Sequence, residues 1–492
     1  MRVLLLYPEF PDTFWSLKHA LKFIRKRATL PPLGLLTVAA LLPREWDVRL
    51  VDVNVRKLTA ADLAWADLVF VSAMIAQRDS ARALIARCHA AGKTVVAGGP
   101  LFGAEHERFP EVDHFVLNEA EMTLAPFLRD LARGRAERVY ASTEYPDVRR
   151  TPVPRWELLD RGRYASMSIQ FSRGCPYDCD FCNVTAMFGH QPRIKTPEQI
   201  VAELDALYQL GWHSQVFFVD DNFIGNKRYL KEALLPALIA WRKGKRGITF
   251  FTEASINLAD DARLMSMMVE AGFETVFIGI ETPDDASLAE CDKRQNLGRD
   301  MVADVRRIHR AGLQVQGGFI VGFDSDTPAT FQRQVEFIQR SGIVTAMVGL
   351  LNAPPATRLY ERLKREGRLL GETTGDNVDG TTNFVPRMSM ETLREGYRSI
   401  LRRIYTPDSY YRRVRTFLRE YRPAKVRLAL DWRSIWALNY ANLRLGVIGR
   451  ERFQYWGLLA WTFFRRPALF QTAVTLAIYG HHFRRICDAL GA

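Results

Sequence analysis

Cysteine is scarce in this chain: it holds six, and three of them fall in one short stretch. So few exclude a disulfide scaffold and fit a reducing cytoplasm. No second C-x-x-C pair exists, so the four-ligand set of a structural zinc site is missing. Long apolar runs are missing too. No stretch reaches the about 18 uninterrupted apolar residues of a membrane-spanning helix. The apolar start MRVLLLYPEF is too short for a signal peptide and has no cleavage pattern after it, so it reads as a first strand. Acidic charge is in deficit, with a formal net charge of +13, but the excess is local. Residues 391–492 carry 19 Arg and Lys against 7 Asp and Glu. The first four-fifths are therefore close to neutral and need no polyanionic partner. No RNA-binding signature appears, and no nucleic-acid partner is expected.

What is present describes a folded protein of several domains. At 492 residues the chain exceeds one ordinary core, and 48% hydrophobic with 25% charged residues excludes disorder. The cysteine stretch is Cys175-Pro-Tyr-Asp-Cys179-Asp-Phe-Cys182, spaced C-x3-C-x2-C behind a strand-like run at 165–171. Thiolates are soft ligands suited to iron–sulfur clusters or zinc. Three of them on a cubane cluster would leave one iron open. Pro176 and Asp178 read as shaping the loop, and Cys88, Cys291 and Cys487 as free thiols.

Residues 1–144 alternate strands (3–7, 48–53, 68–72, 94–97, 114–117) with helices (32–42, 79–91, 121–135). This predicts a Rossmann-like, doubly wound parallel sheet, which binds ligands beyond the carboxyl ends of its strands. The loops at 8–14, Asn54, 72–77, 98–100 and 118–121 fall there. Gly98-Gly99 permits close approach to a ligand, and equally suits a tight turn. Residues 145–156, rich in Pro and Arg, read as a linker.

Residues 157–370 repeat strand and helix, with strands at 215–219, 249–254, 275–280, 314–321 and 345–350. Helices fit 196–210, 227–242, 260–271, 299–311, 327–341 and 357–366. With the strand before the cysteines, six βα units predict an open (β/α)6 barrel whose functional residues sit at carboxyl strand ends. Those ends carry Asp220-Asp221-Asn222, Glu253 and Ser255, Gly279 and Glu281, and Gly318 and Gly322. Asp220 and Asp221 suit either a bound ammonium or a helix N-terminus, and Gly322 suits a ligand contact or a turn. Pro355 and Thr357 would shape the substrate side or start a helix. Lys293, Gln295 and Asn296 follow the Glu281 strand and either reach the active site or, the commoner outcome, form a solvated charged loop; Cys291 reads as a bystander thiol sooner than as a hydrogen donor.

Residues 371–492 predict a basic, aromatic-rich helical domain behind a polar bridge at 371–383, with helices at 389–405, 407–421, 424–439 and two more near the end. Such helices can lie on an anionic membrane surface, cover the open barrel side, contact phosphates, or simply pack with a basic exterior.

The sequence CPYDCDFC at 175–182 resembles the cluster motif of the radical S-adenosylmethionine superfamily. The resemblance implies a [4Fe–4S] cluster on Cys175, Cys179 and Cys182 and reductive cleavage of S-adenosylmethionine to a 5′-deoxyadenosyl radical. It implies S-adenosylmethionine contacts from Phe181, Asp220, Asp221, Asn222, Glu253, Ser255, Gly279, Glu281, Gly318 and Gly322. LPPLGL at 30–35, VSAM at 71–74, GGP at 98–100 and NEAE at 118–121 resemble the cobalamin-binding domain that precedes many such barrels. That resemblance implies a corrin over the strand ends, held by Ser72, Met74, Gln77, Gly98, Gly99, Asn118 and Glu119. Two departures stand out. D-x-H-x-x-G is absent and His19 lacks its flanks, so cobalt's lower face should have no His. Asn118 replaces the family's usual Gly.

The whole chain resembles the branch that includes the hopanoid C-2 methylases. The implied function is methylation of an unactivated carbon, with a lipid substrate explaining the apolar, basic tail. A cobalamin-binding radical enzyme for cyclisation or oxidation, and a non-catalytic iron–sulfur sensor, are the other readings. No catalytic side chain is assigned. A flavodoxin or ferredoxin donor, a cytoplasmic location and peripheral contact with the inner membrane surface complete the expectations.

Overall fold

The computed structural model describes residues 1–376, 378–423 and 432–491. They form two compact units. Unit 1 comprises Met1–Pro11, Arg27–Ser172 and Arg193–His213; unit 2 comprises Asp12–Lys26, Arg173–Pro192 and Ser214–Ala492.

Unit 1 is built on β1 (Arg2–Tyr7), β2 (Asp47–Asp52), β3 (Leu68–Ser72), β4 (Thr94–Gly98), β5 (His114–Val116) and β6 (Val139–Tyr140), all parallel, in the order β2-β1-β3-β4-β5-β6. The period of two in a strand sends alternate residues to opposite faces. Leu4, Leu6, Val69 and Val71 enter one core, while Val3, Leu5, Leu68 and Phe70 enter the other. Both faces are covered, which is why these strands read as continuous apolar runs rather than alternating ones. The order reverses between β1 and β3, so their carboxyl ends open the crevice where doubly wound sheets bind ligands. Gln77 and Asn54 both donate to the Pro8 carbonyl there, at 2.6 and 2.9 Å. Helices at Ala60–Trp65 and Pro100–Glu105 were not expected. Each has six residues, too few for a periodic signal, though the first begins with a Thr59–Asp62 capping box. Unit 1 also contains β7 (Met167–Ile169), the core of the run before the cysteines.

Short strands β8 (Ser172–Arg173) and β9 (Arg193–Ile194) flank the cysteine loop. Unit 2 then carries β10 (Gln215–Phe218), β11 (Thr249–Ala254), β12 (Phe273–Glu281), β13 (Gln314–Val321) and β14 (Ala346–Leu350), each paired in parallel with the next. Helices intervene, so this is the expected βα repeat. Strict alternation in β10 and β11 puts Val216, Phe218 and Phe250 into the core and leaves Phe217, Phe251 and Glu253 half-buried on the other face. The expected helix 227–242 contains a π-helical turn at Leu230–Leu234.

The helical tail of unit 2 runs Met390–Tyr405, Pro407–Glu420, Trp432–Ala441, Arg452–Arg465 and Phe470–Ala489. The expected helix at 424–439 falls partly on 424–431, outside the described residues. Tyr405 donates to the Ala346 carbonyl at 2.7 Å, and buried Arg413 donates to the Ile404 and Val344 carbonyls at 2.8 and 3.2 Å. An Arg on a basic helix is thus a tie between tail and sheet. Asp12–Lys26 also belongs to unit 2, which the sequence did not suggest. Phe14 stacks on Phe483 with centroids 4.2 Å apart, and the Phe14 carbonyl lies 3.0 Å from His482 Nε2.

Gly480 lies where Tyr410, whose hydroxyl donates to the Leu476 carbonyl at 2.6 Å, crosses the last helix. A Cβ on Gly480 would overlap the Tyr410 ring. Gly480→Ala is therefore expected to destabilise unit 2 by about 1–3 kcal/mol despite alanine's better helix propensity. Denaturant unfolding of wild type and variant measures this.

Candidate active site

The cysteine loop of unit 2 is fixed from several sides. Gly174 is in the left-handed region at φ +98°, and a Cβ there would crowd the Gly189 carbonyl at 2.9 Å and the Gln191 carbonyl at 3.0 Å. The Cys175 N–H bonds to the Gly189 carbonyl, and the Cys182 N–H to the Cys179 carbonyl. The Asp180 N–H donates to the Cys291 carbonyl at 3.1 Å, and its own carbonyl accepts from Leu359 N–H at 2.9 Å. Arg358 bonds the Asp178 carbonyl and pairs with Asp292 at 3.0 Å. Cys291 therefore serves the loop through its backbone, while its thiol is buried with Phe323, Leu351 and Leu359.

All three loop cysteines are free thiols. Burial pushes each thiol up, Cys182 to about 12; Cys175 raises Cys179 further, and both raise Cys182. Amide donors reach two of them: Asn222 Nδ2 is 4.0 Å from Cys175 Sγ, and Gln295 Nε2 is 3.9 Å from Cys179 Sγ. Among the described residues, Gln295 Oε1 is buried without a hydrogen-bond partner, and no three His, Cys, Asp or Glu side chains are gathered to hold a single metal ion. A multi-iron cluster needs the wider arrangement, one thiolate per iron, and amide donors to sulfur are a usual part of its setting. The residues fit such a cluster better than a lone ion.

Carboxylates crowd the neighbouring strand ends. Asp220 is fully buried after β10, Asp221 follows it, and Glu253 is on β11. Burial raises the Asp221 carboxyl to about 6. Burial, then Asp221 and Asp220, raise Glu253 to about 8. Asn222 and Ser255 are buried; Ser255 lies 3.4 Å from Asn222 and 2.8 Å from Asn257, whose amide donates to Tyr177 at 2.7 Å. Glu281, in the left-handed region at φ +63°, pairs with Lys293 at 2.7 Å. Burial works against the Lys293 ammonium, but Glu281 and the Cys179 thiol outweigh it and its pKa is raised.

This corrects the expectation of a solvated loop at 293–296. Lys293 is only 13% exposed, Gln295 points at Cys179, and Asn296 Nδ2 donates to the Gly279 and Ile280 carbonyls at 3.1 and 3.0 Å. The charged residues turn inward because a buried carboxylate waits for the cation. Tyr177 and Asn257 were also missed: the cysteine motif contains Tyr177 but says nothing of its bond, and no motif marks Asn257. Phe181 packs edge-on to Phe323 at 6.3 Å. Gly318 makes room for the Phe277 ring, and Gly322, at φ +112°, donates its N–H to Asp326 at 2.8 Å beside Leu393.

In unit 1 the second set of expected residues gathers at the β3, β4 and β5 ends. A Cβ on Gly99, at φ +89°, would overlap Ser72 Oγ, and one on Gly98 would lie 2.6 Å from the Val116 carbonyl. Met74 is 44% exposed, and its N–H donates to buried Gln77 at 2.8 Å. Asn118 is left-handed at φ +60°, a conformation asparagine tolerates where glycine is common. Buried Glu119 pairs with Arg193 at 2.6 Å.

Two variants test the buried charges. Lys293→Met strands the Glu281 carboxylate and is expected to cost about 3–5 kcal/mol, with Glu281→Gln in the same chain restoring most of it; unfolding of both decides. Glu253 holds its proton in the fold up to about pH 8 but releases it near 4.5 when unfolded, so native stability falls as pH rises through that window. Glu253→Gln removes the loss. In cofactor-free protein its melting-temperature gain over wild type should be absent at pH 4, grow to pH 8 and level off above.

Comparison with known proteins follows the same division. Residues 25–128 match the B12 binding domain, 169–338 the radical SAM superfamily and 357–491 a domain of unknown function. The chain is 42% identical to an uncharacterized methyltransferase of Synechocystis sp., over 98% of this chain and 91% of that one. It is 35% identical to the hopanoid C-2 methylase of Rhodopseudomonas palustris, over 92% and 88%. Its fold resembles the cobalamin-dependent S-adenosylmethionine radical enzyme OxsB, at TM-score 0.63 and 15% identity over 99% and 79% of the chains. It also resembles the radical S-adenosylmethionine methyltransferase TsrM from Kitasatospora setae, at TM-score 0.61 and 16% identity over 90% and 98%. With a cobalamin-binding domain ahead of a radical S-adenosylmethionine domain, and with relatives that match along nearly their whole length, the chain belongs to the cobalamin-dependent radical S-adenosylmethionine methyltransferases, enzymes whose cofactors are a [4Fe–4S] cluster, S-adenosylmethionine and cobalamin.

Proposed function

We propose that this enzyme methylates an unactivated carbon of a lipid, in a radical S-adenosylmethionine domain at 157–370 flanked by a cobalamin domain at 1–144, a linker at 145–156 and a helical domain at 371–492. The observation that carries the lipid reading is one face of the unit 2 sheet. Register puts Phe217, Phe251, Glu253, Phe277 and Met347 on it. Phe217 and Phe251 stack at 4.4 Å, and Trp15 closes on Phe277 at 5.5 Å with its indole nitrogen 2.8 Å from Met347 sulfur. An apolar wall ending in a cluster of acids suits a greasy substrate beside a cationic co-substrate. The 35% identity to a hopanoid methylase supports the same class.

When bound, the cluster and S-adenosylmethionine supply hydrogen-atom abstraction, and cobalamin supplies the methyl group. Cys175, Cys179 and Cys182 would hold the cluster as thiolates, losing their protons on loading. Asn222 and Gln295 would donate to the sulfurs. Asp220, Asp221 and Glu253 would face the ammonium and sulfonium, whose charge draws the raised carboxyls into their ionised form. Phe181, Ser255, Gly279, Glu281, Gly318 and Gly322 would complete that site. In unit 1, Ser72, Met74, Gly98, Gly99, Asn118 and Glu119 would hold cobalamin, with Gly99 allowing close backbone approach, while buried Gln77 would shape the crevice by tying Pro8 to Met74. The aromatic face would keep water from the reacting carbon. A flavodoxin or ferredoxin would deliver electrons, and the basic, aromatic tail would rest against a membrane.

The test uses protein made anaerobically with cobalamin, a flavodoxin reductant, methyl-labelled S-adenosylmethionine and a lipid extract that includes hopanoids. The expected result is label in lipid, with both S-adenosylhomocysteine and 5′-deoxyadenosine formed. 5′-Deoxyadenosine alone would favour cyclisation or oxidation; no cleavage at all would favour a sensor. Cys179→Ser should lose cluster iron and all cleavage; iron and cleavage at wild-type levels would refute the cluster assignment.

A further inference from the structure

A cavity of about 150 Å³ opens in the helical part of unit 2, away from the strand ends. Its walls come from the segment around Lys18–Leu21, the helix Trp432–Ala441 with its π-helical continuation Asn442–Val447, and the helix Phe470–Ala489. Five basic side chains converge on it: His19, Lys22, Arg444, His481 and Arg485. Phe23 and Tyr440, edge to face at 4.9 Å, make an apolar side.

Among the described residues, no carboxylate lines this cavity. Two acids lie near: Asp12 pairs with Lys18 at 2.8 Å, and Glu451 pairs with Arg484 at 2.5 Å and lies 3.8 Å from the lining His481. Among the described residues, Lys22, Arg444 and Arg485 have no carboxylate partner. After burial, which lowers the His19 pKa, Asp12 favours its protonation, and Lys22, Arg485 and His481 then disfavour it. Three cations around one cavity with no carboxylate of their own are an unmet demand for an anion.

Exposed apolar side chains close in the chain to the lining residues say which anion. Ile24, two residues past Lys22, is 38% exposed. Leu443 adjoins Arg444, and Val447 and Ile448 lie about one turn on, exposed by 51%, 62% and 58%. Trp436, 46% exposed, carries the Arg25 guanidinium over its ring at 5.6 Å. A pocket for a free anion has no use for exposed aliphatic and indole side chains. A pocket seated at a bilayer surface does, because they enter the acyl boundary while cations meet headgroups. Among the described residues no helix is long and apolar enough to cross a membrane, so the contact is with the surface.

We propose that this pocket binds the phosphate of an anionic phospholipid headgroup and seats the enzyme on the bilayer. The inference rests on the membrane contact proposed above, but its readout is vesicle binding rather than methyl transfer, so the two fail separately. The holoenzyme is floated with phosphatidylglycerol and with phosphatidylcholine vesicles. The expected result is binding to the anionic vesicles, weakened about tenfold or more in Arg444→Gln/Arg485→Gln at unchanged melting temperature and iron and cobalt content. Arg394→Gln/Arg398→Gln, which removes the same charge from another exposed helix face, should bind nearly as wild type. Should the pocket double variant fold poorly, Lys22→Gln on the exposed turn takes its place, with a loss of severalfold expected. Equal losses in pocket and control variants would reduce the effect to diffuse electrostatics and overturn the site. Inorganic phosphate binding that is lost in the pocket variants without any change in vesicle binding would overturn the lipid assignment, as would failure to bind either vesicle.

Discussion

The ion pair between Lys293 and Glu281, 2.7 Å long and nearly buried, holds the strand ends of unit 2 in their working order. Glu281 closes β12 in a left-handed turn, and its carboxylate would be costly inside the protein without a cation. Lys293 supplies it and thereby folds the following residues back over the sheet. Asn296 then caps the Gly279 and Ile280 carbonyls, and Gln295 reaches Cys179. Buried pairs contribute little net stability compared with apolar packing. What this one contributes is position: it places an amide beside a thiol and, among the described residues, leaves Asp221 and Glu253 without an ion-pair partner. That imbalance would make the site receptive to a positively charged co-substrate.

Unit 1 meets its demand by backbone instead. The parallel sheet buries both faces, so ligand contact is confined to the loops at strand ends. Those loops are tight. Gly99 leaves Ser72 no room for a neighbouring Cβ, and Asn118 sustains a backbone conformation that most side chains avoid. Gln77 and Asn54 spend their amides on Pro8, which fixes the crevice edge rather than presenting donors to it.

Much of this was readable in the residues. Strands such as 68–72, 249–254 and 314–321 coincide with the expected ranges because apolar runs bounded by turn residues have few other outcomes. The resemblance of the cysteine motif to that of the radical S-adenosylmethionine superfamily named its chemistry, and strand-end positions follow once a βα repeat is recognised. Three things were not readable. Six-residue helices carry too little periodicity. The inward turn of Lys293 depends on Glu281, and a charged loop looks the same whether it faces water or a carboxylate. The attachment of residues 12–26 to unit 2 depends on partners such as Phe483 and Phe277, hundreds of positions away, and no local pattern encodes that.

That attachment has a consequence for how the chain is made. The Phe14 carbonyl and His482 are separated by 468 residues. At ordinary synthesis rates of about 5–20 residues per second, roughly half a minute to a minute and a half passes between the birth of the two partners. Phe14 and Trp15 emerge at the start and have no aromatic cover until Phe277, and then Phe483, exist. Unit 2 can therefore close only after nearly the whole chain has been synthesised, and the long loop it closes makes the step slow as well as late. During that interval the nascent protein carries an apolar hook near its beginning, the kind of segment that chaperones hold and that truncated chains would leave permanently bare.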